Sequence, residues 1–283
     1  MEPIVLFGRS FMDTRVEQPS ISIEDRGLQF GDGIYEVIRI YEGSFHLLEP
    51  HLSRLYRSMN AIDLHPFFTK DELIHMLYEL VKKNQFTKSG YVYLQISRGV
   101  QPRNHHYADD LTGTFYAYLG KMERPLAAML KGISVCTAED IRWLHCDIKS
   151  LNLLPNVLAR TNAERNGYDE ALFVRSSGVV TEGSSSNFFL VKNGTLYTHP
   201  ANNLILNGIA RQHVLSLAEA LSIPIKEEEF GVEDVLQADE CFFTSTGIEV
   251  MPMMQLDGKQ VGSDIPGPIT KQLQAAYEVS ISE

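Results

Sequence analysis

The run Ile34-Tyr35-Glu36-Val37-Ile38-Arg39-Ile40-Tyr41 alternates as a strand does. Tyr35, Val37 and Arg39 share one face, and Ile38 and Ile40 the other. Glu42-Gly43 then turns the chain into residues 44–48, the return arm of a hairpin. After that the period changes. Leu52, Leu55, Met59 and Ile62 recur at helical spacing and predict a helix over 49–62. Thr69 and Glu72 have the spacing of a capping box, with Leu73, Leu77 and Leu80 following on one stripe. Strands are predicted at 90–97 and 113–120, and residues 120–125 read as a connector. Beyond it come a strand (132–137), a helix (151–166, ended by Gly167) and a strand (169–175). Asn193-Gly194 between the runs 188–191 and 195–198 is a strong hairpin signal. A helix over 209–221, a strand over 240–244 and a helix over 269–280 complete the pattern. These elements predict an α+β (mixed α/β) chain in two domains. A smaller one covers 1–120, a connector 121–126, and a larger one 127–283. The regular strand–helix alternation of a doubly wound sheet is missing.

Composition narrows the function more than the fold. The 283 residues suffice for two cores, and 44% hydrophobic with 22% charged residues is the balance of a soluble globular protein. A net charge of -11 argues against nucleic acid or an anionic membrane as partner. No apolar run is long enough to span a bilayer, and Met1-Glu2-Pro3-Ile4 lacks a basic leader, so a cytoplasmic protein is expected. Cys136, Cys146 and Cys241 are odd in number and lack metal-like spacing; they read as reduced, buried thiols. No metal motif, P-loop or dinucleotide fingerprint is present, so no metal is expected.

Five segments carry candidate chemistry. Thr181-Glu182-Gly183-Ser184-Ser185-Ser186-Asn187 is too polar for a core and reads as a binding loop or a surface turn ahead of the apolar run 188–191. Leu206-Asn207-Gly208-Ile209-Ala210-Arg211 opens a helix whose first amides suit a phosphate or start an ordinary helix, and Thr244-Ser245-Thr246-Gly247 adds donors at a strand end. Lys149, between Ile148 and Leu151 at the head of an apolar helix, is either a solvated lysine or a partly desolvated nucleophile. In Arg103-Asn104-His105 an extended chain points Arg103 and His105 the same way, as a carboxylate clamp or a solvated loop.

Together with residues 24–36, 140–154 and 198–203, these blocks resemble the class IV (fold type IV) pyridoxal-phosphate aminotransferases along almost the whole chain. The resemblance implies a small N-terminal and a larger C-terminal domain with a mixed barrel-like sheet, and pyridoxal 5'-phosphate between them. Lys149 matches the lysine that links to the cofactor and moves the substrate's α-proton, and Glu182 the carboxylate at the pyridine nitrogen. Arg54, Ile209, Ala210 and Thr246 match phosphate ligands, and Leu206 the apolar cover of the ring. Tyr35, Arg103 and His105 match the carboxylate trap of members acting on D-amino acids, where the last two come from the second subunit of a homodimer. The activity implied is ping-pong transamination between D-amino acids (D-alanine, D-glutamate) and 2-oxo acids (pyruvate, 2-oxoglutarate). The alternatives on the same fold are branched-chain L-amino-acid transamination and aminodeoxychorismate lyase chemistry. Gly247, where a hydroxyl is expected, and Pro155-Asn156, where small residues are expected, depart from the family pattern.

Overall fold

A computed structural model describes residues 1–263 and 265–282. The chain divides into two units, one of residues 1–123 with 148–152, the other of 124–147 with 153–283.

The first unit holds β1 (Ile4–Phe7), β2 (Ser10–Asp13), α1 (Arg26–Phe30), β3 (Gly33–Tyr41), β4 (Ser44–Phe45), α2 (Leu48–Ala61), α3 (Lys70–Lys83), β5 (Gly90–Ser97) and β6 (Phe115–Lys121). Its sheet runs β2-β1-β6-β5-β3-β4, antiparallel throughout. Strand alternation sorts the two faces. Ile34, Ile38 and Ile40 of β3 are buried with Leu52, Leu55 and Met59 of α2 and Leu73, Leu77 and Leu80 of α3. Each such side chain contributes about 1.5–3 kcal/mol by leaving water. The capping box is formed: Glu72 N–H donates to Thr69 Oγ1, and Thr69 N–H to the Glu72 carboxylate. The opposite face carries tyrosines, with Tyr35 stacked on Tyr93 and Tyr93 on Tyr118.

Residues 148–152 lie against the open edge of β3. Tyr35 N–H donates to the Lys149 carbonyl at 3.2 Å, and Leu151 N–H to the Gly33 carbonyl at 3.0 Å. This shortens the helix expected over 151–166 at its start. The helix begins only at Leu154, because Pro155 sits well in a first turn and the preceding backbone has partners on β3 instead. Gly33 makes the close approach possible: a Cβ there would come within 2.8 Å of Leu151 Cδ1 and 2.7 Å of the Ile96 carbonyl.

The second unit holds α4 (Leu126–Lys131), β7 (Ile133–Glu139), α5 (Leu154–Arg165), β8 (Glu170–Val174), β9 (Val180–Gly183), β10 (Asn187–Lys192), β11 (Thr195–Thr198), α6 (Ile209–Ala220), β12 (Ile225–Glu227), α7 (Val232–Leu236), β13 (Glu240–Ser245), β14 (Glu249–Leu256), β15 (Lys259–Gln260) and α8 (Pro268–Ser282). Strands β10-β13-β14-β7-β8-β9 follow one another, and the pair Asn187↔Glu182 joins β9 back to β10, closing a mixed six-stranded barrel. The run 188–191 is apolar without a break because both its faces are covered. Phe188 and Leu190 pack with Val135, Leu172, Phe243 and Met253. Phe189 and Val191 pack with Phe242, with Val214 and Ala218 of α6, and with Leu273 of α8.

Candidate active site

Lys149 stands on a backbone bonded from two sides, to β3 as above and through its own N–H to Ser58 Oγ at 3.3 Å. Its ammonium lies 4.2 Å from the centre of the Tyr35 ring, a cation–π contact that fixes the side chain's direction. One residue along β3, Glu36 is wholly buried on the other face. It accepts from Arg54 Nε at 2.6 Å, Arg54 Nη2 at 2.8 Å and His51 Nδ1 at 2.9 Å. Burial alone would push this carboxyl up. The Arg54 guanidinium, with His51, outweighs it and holds Glu36 well below the usual carboxylate range. Burial pushes His51 down, so its ring is neutral at pH 7 and Nδ1–H is the donor. Arg54 is therefore a positioned cation with its charge already partnered. No local pattern in the sequence gives Glu36 or His51 a role, since a Glu in an alternating strand looks solvated.

In the second unit, the polar stretch 181–187 is buried except at Ser185, against the expectation for so many hydroxyls. Thr181, Glu182, Ser184, Ser186 and Asn187 are each no more than 6% exposed. They are tolerated because each has a partner. Thr181 Oγ1 donates to Asp140 at 2.8 Å, Ser184 and Ser186 donate to Glu170, and Asn187 Nδ2 donates to Glu182 at 2.9 Å. Glu182 also accepts from Arg142 Nη1 and from the Leu206 amide. Burial pushes its carboxyl up, against the pull of Arg142 and the Leu206 N–H. Arg142 is the centre of the network: it forks onto Asp140 at 2.8 Å through both Nε and Nη2, and stacks on Phe173 at 4.4 Å. Its one sequence signal was its place two residues after Asp140.

Gly208 caps α6 without a side-chain hydrogen bond, and the Gln212 N–H bonds back to the Gly208 carbonyl, leaving the Ile209 and Ala210 amides at the open first turn. Asn187 links this helix start to Glu182, since its Nδ2 also donates to the Leu206 carbonyl at 2.7 Å. Asn187 pairs with Thr244 on β13, whose buried hydroxyl has no partner among the described residues. Ser245 ends that strand, and Thr246 stands at the turn beyond it.

Arg103 and His105 lie apart from Tyr35 in their contacts. Both are exposed on the loop after β5, with the Arg103 guanidinium 4.5 Å over the Phe30 ring and His105 tilted on the same ring at 5.3 Å. Cys146 and Cys241 are buried, and burial pushes the Cys146 thiol up to about 11. That is the wrong direction for a nucleophile.

The chain belongs to the class IV aminotransferases: the family model described as amino-transferase class IV matches residues 33–256. It is 45% identical to a D-alanine aminotransferase of Bacillus licheniformis over 98% of this chain and 96% of that protein. The identity to a D-alanine aminotransferase of Staphylococcus haemolyticus is 44%, over 96% of each. Among solved structures, a branched-chain aminotransferase from Thermobaculum terrenum in its PLP-form is similar at 28% identity with a TM-score of 0.90, covering 99% of this chain and 94% of that one. A branched-chain aminotransferase from Thermoproteus uzoniensis with norvaline is similar at 27% identity and a TM-score of 0.90, over 100% of this chain and 96% of that one.

Proposed function

We propose that this chain is a pyridoxal-phosphate-dependent transaminase that moves the amino group of D-amino acids to 2-oxo acids. The observation that carries the reading is the 44–47% identity to proteins named D-alanine aminotransferase over nearly the whole chain. The branched-chain aminotransferases are similar in fold at much lower identity.

The residues present fit the cofactor. The uncapped amides of Ile209 and Ala210 and the unpartnered Thr244 hydroxyl are donors suited to a phosphate. Glu182 accepts from three donor groups, Arg142, Asn187 and the Leu206 N–H shared between both its oxygens, and is the buried carboxylate that faces the ring nitrogen in this reading. Pyridoxal phosphate, when bound, supplies an aldehyde for amines and a ring that takes up electrons from the substrate's α-carbon. Lys149 is the amine that anchors it and the base that moves the α-proton. Glu182, set by Arg142 and Asn187, keeps the ring nitrogen protonated. Arg54, Ile209, Ala210 and Thr246 hold the phosphate, and Leu206 covers the ring. Tyr35, Arg103 and His105 hold the substrate carboxylate. The exposure of Arg103 and His105 supports their service to a second copy in a homodimer. The two half-reactions are ping-pong, with D-alanine or D-glutamate giving pyruvate or 2-oxoglutarate. No helix among the described residues is long and apolar enough to cross a membrane. Free Cys136, Cys146 and Cys241 suit the cytoplasm.

Borohydride reduction of the yellow protein followed by peptide mapping tests the assignment of Lys149. The pyridoxyl group is expected on that residue, and Lys149→Ala is expected to fold and lose transamination. A label on any other lysine refutes it.

A further inference from the structure

The loop that presents Arg103 and His105 is held from below by a side chain outside the site. We propose that Arg26 is a positioning residue that sets the aim of both, an inference that rests on the reading of Arg103 and His105 as carboxylate ligands. Arg26 opens α1, and its side chain is 4% exposed. Nη1 donates to the Asn104 carbonyl at 2.6 Å, Nη2 to the His105 carbonyl at 3.1 Å, and Nε to Asp32 at 2.8 Å. Those carbonyls belong to the peptide planes before and after His105. Drawing both onto one planar fork fixes the two planes, and with them the direction in which the His105 side chain leaves the loop.

The side chains are found where this geometry sends them. Arg103 and His105 both rest on the Phe30 ring, and the Arg26 guanidinium lies 4.7 Å from the centre of the same ring. Charge explains why the loop cannot drift from its anchor. Arg98 shares Asp32 with Arg26 at 2.9 Å, so one carboxylate faces two guanidiniums. Arg98 completes its shell with the Ile62 and Asp63 carbonyls, and Arg26 completes its own with those of Asn104 and His105. Releasing the loop would strand a buried cation. The far side is tied by Gln101, whose Nε2 donates to the His106 carbonyl and whose Oε1 accepts from Ala108 N–H. The anchor is itself fixed, since Arg26 N–H donates to the Gly99 carbonyl at 2.9 Å.

The test compares parent, Arg26→Lys and Arg103→Ala as holoenzymes. Lysine keeps the charge at Asp32 but has no planar fork. We expect Arg26→Lys to raise KM for D-alanine by about tenfold or more while kcat changes less than about threefold. The rate with a primary amine lacking a carboxylate is expected to stay at the parent's value. Hydrogen exchange at His106 and Ala108 is expected to quicken. An equal fall with D-alanine and the amine would show general damage and overturn the proposal. A parental KM in Arg26→Lys beside a raised KM in Arg103→Ala overturns the role of Arg26 alone. A parental KM in Arg103→Ala overturns the carboxylate reading, and the purpose assigned to Arg26 falls with it.

Discussion

Glu36→Gln removes one charge and almost no volume, at a wholly buried position where the surroundings cannot relax into water. In the native protein the carboxylate accepts two bonds from Arg54 and one from His51. The amide removes the charge that faces the buried Arg54, whose side chain is 6% exposed, and turns one end from acceptor to donor. Breaking a buried pair by removing one partner costs about 3–5 kcal/mol. At about 2–4 °C per kcal/mol, the melting temperature should fall on the order of 10 °C at pH 7. The pH dependence has a definite sign. Arg54 and His51 hold the Glu36 carboxyl below its ordinary value of 4.5 against the upward push of burial. The stability this adds is fully present above 4.5 and is lost as pH falls toward the folded-state value. The gap between parent and variant should therefore be constant from pH 7 to about pH 5 and narrow below about pH 4. Circular dichroism melts at pH 7, 5 and 3.5 measure it. A gap under about 2 °C at pH 7, or one that fails to narrow at pH 3.5, refutes the reasoning.

Two further changes probe the second unit. Glu182→Gln should keep cofactor binding but slow the D-alanine half-reaction by at least about a hundredfold, roughly 2.7 kcal/mol of barrier, in stopped-flow absorbance. Near-parental rates would reject its role. Gly208→Ala has ordinary backbone angles, yet its Cβ would meet Asn187 Oδ1 at 2.1 Å. Asn187 must move off Glu182, so cofactor affinity should fall by about tenfold in a fluorescence titration; an unchanged affinity contradicts the link from helix start to carboxylate.

The strongly periodic elements were legible in the sequence. The alternation of β3, the stripes of α2 and α3, the capping box at Thr69 and the Asn193-Gly194 hairpin all encode local preferences that the fold leaves in place. What escaped notice depends on partners distant in sequence. The stretch 181–187 looked solvated because its satisfaction comes from Asp140, Arg142 and Glu170, 14 to 41 residues away. The helix expected over 151–166 was placed three residues early because the edge pairing of residues 148–152 with β3 has no local signature. Strand β14 carries Pro252 and three methionines, poor strand signals, yet sits between β13 and β7. For the site, Lys149, Glu182 and Arg103 stood out within blocks that resemble a family. Glu36 and His51, which hold Arg54, and Arg142, which holds Glu182, did not.

Handedness is the claim most exposed to a single measurement. Purified holoenzyme is mixed with D-alanine or with L-leucine, and the change in cofactor absorbance is followed through one half-reaction. D-alanine is expected to react at least about tenfold faster at equal concentration. Faster reaction with L-leucine would contradict it.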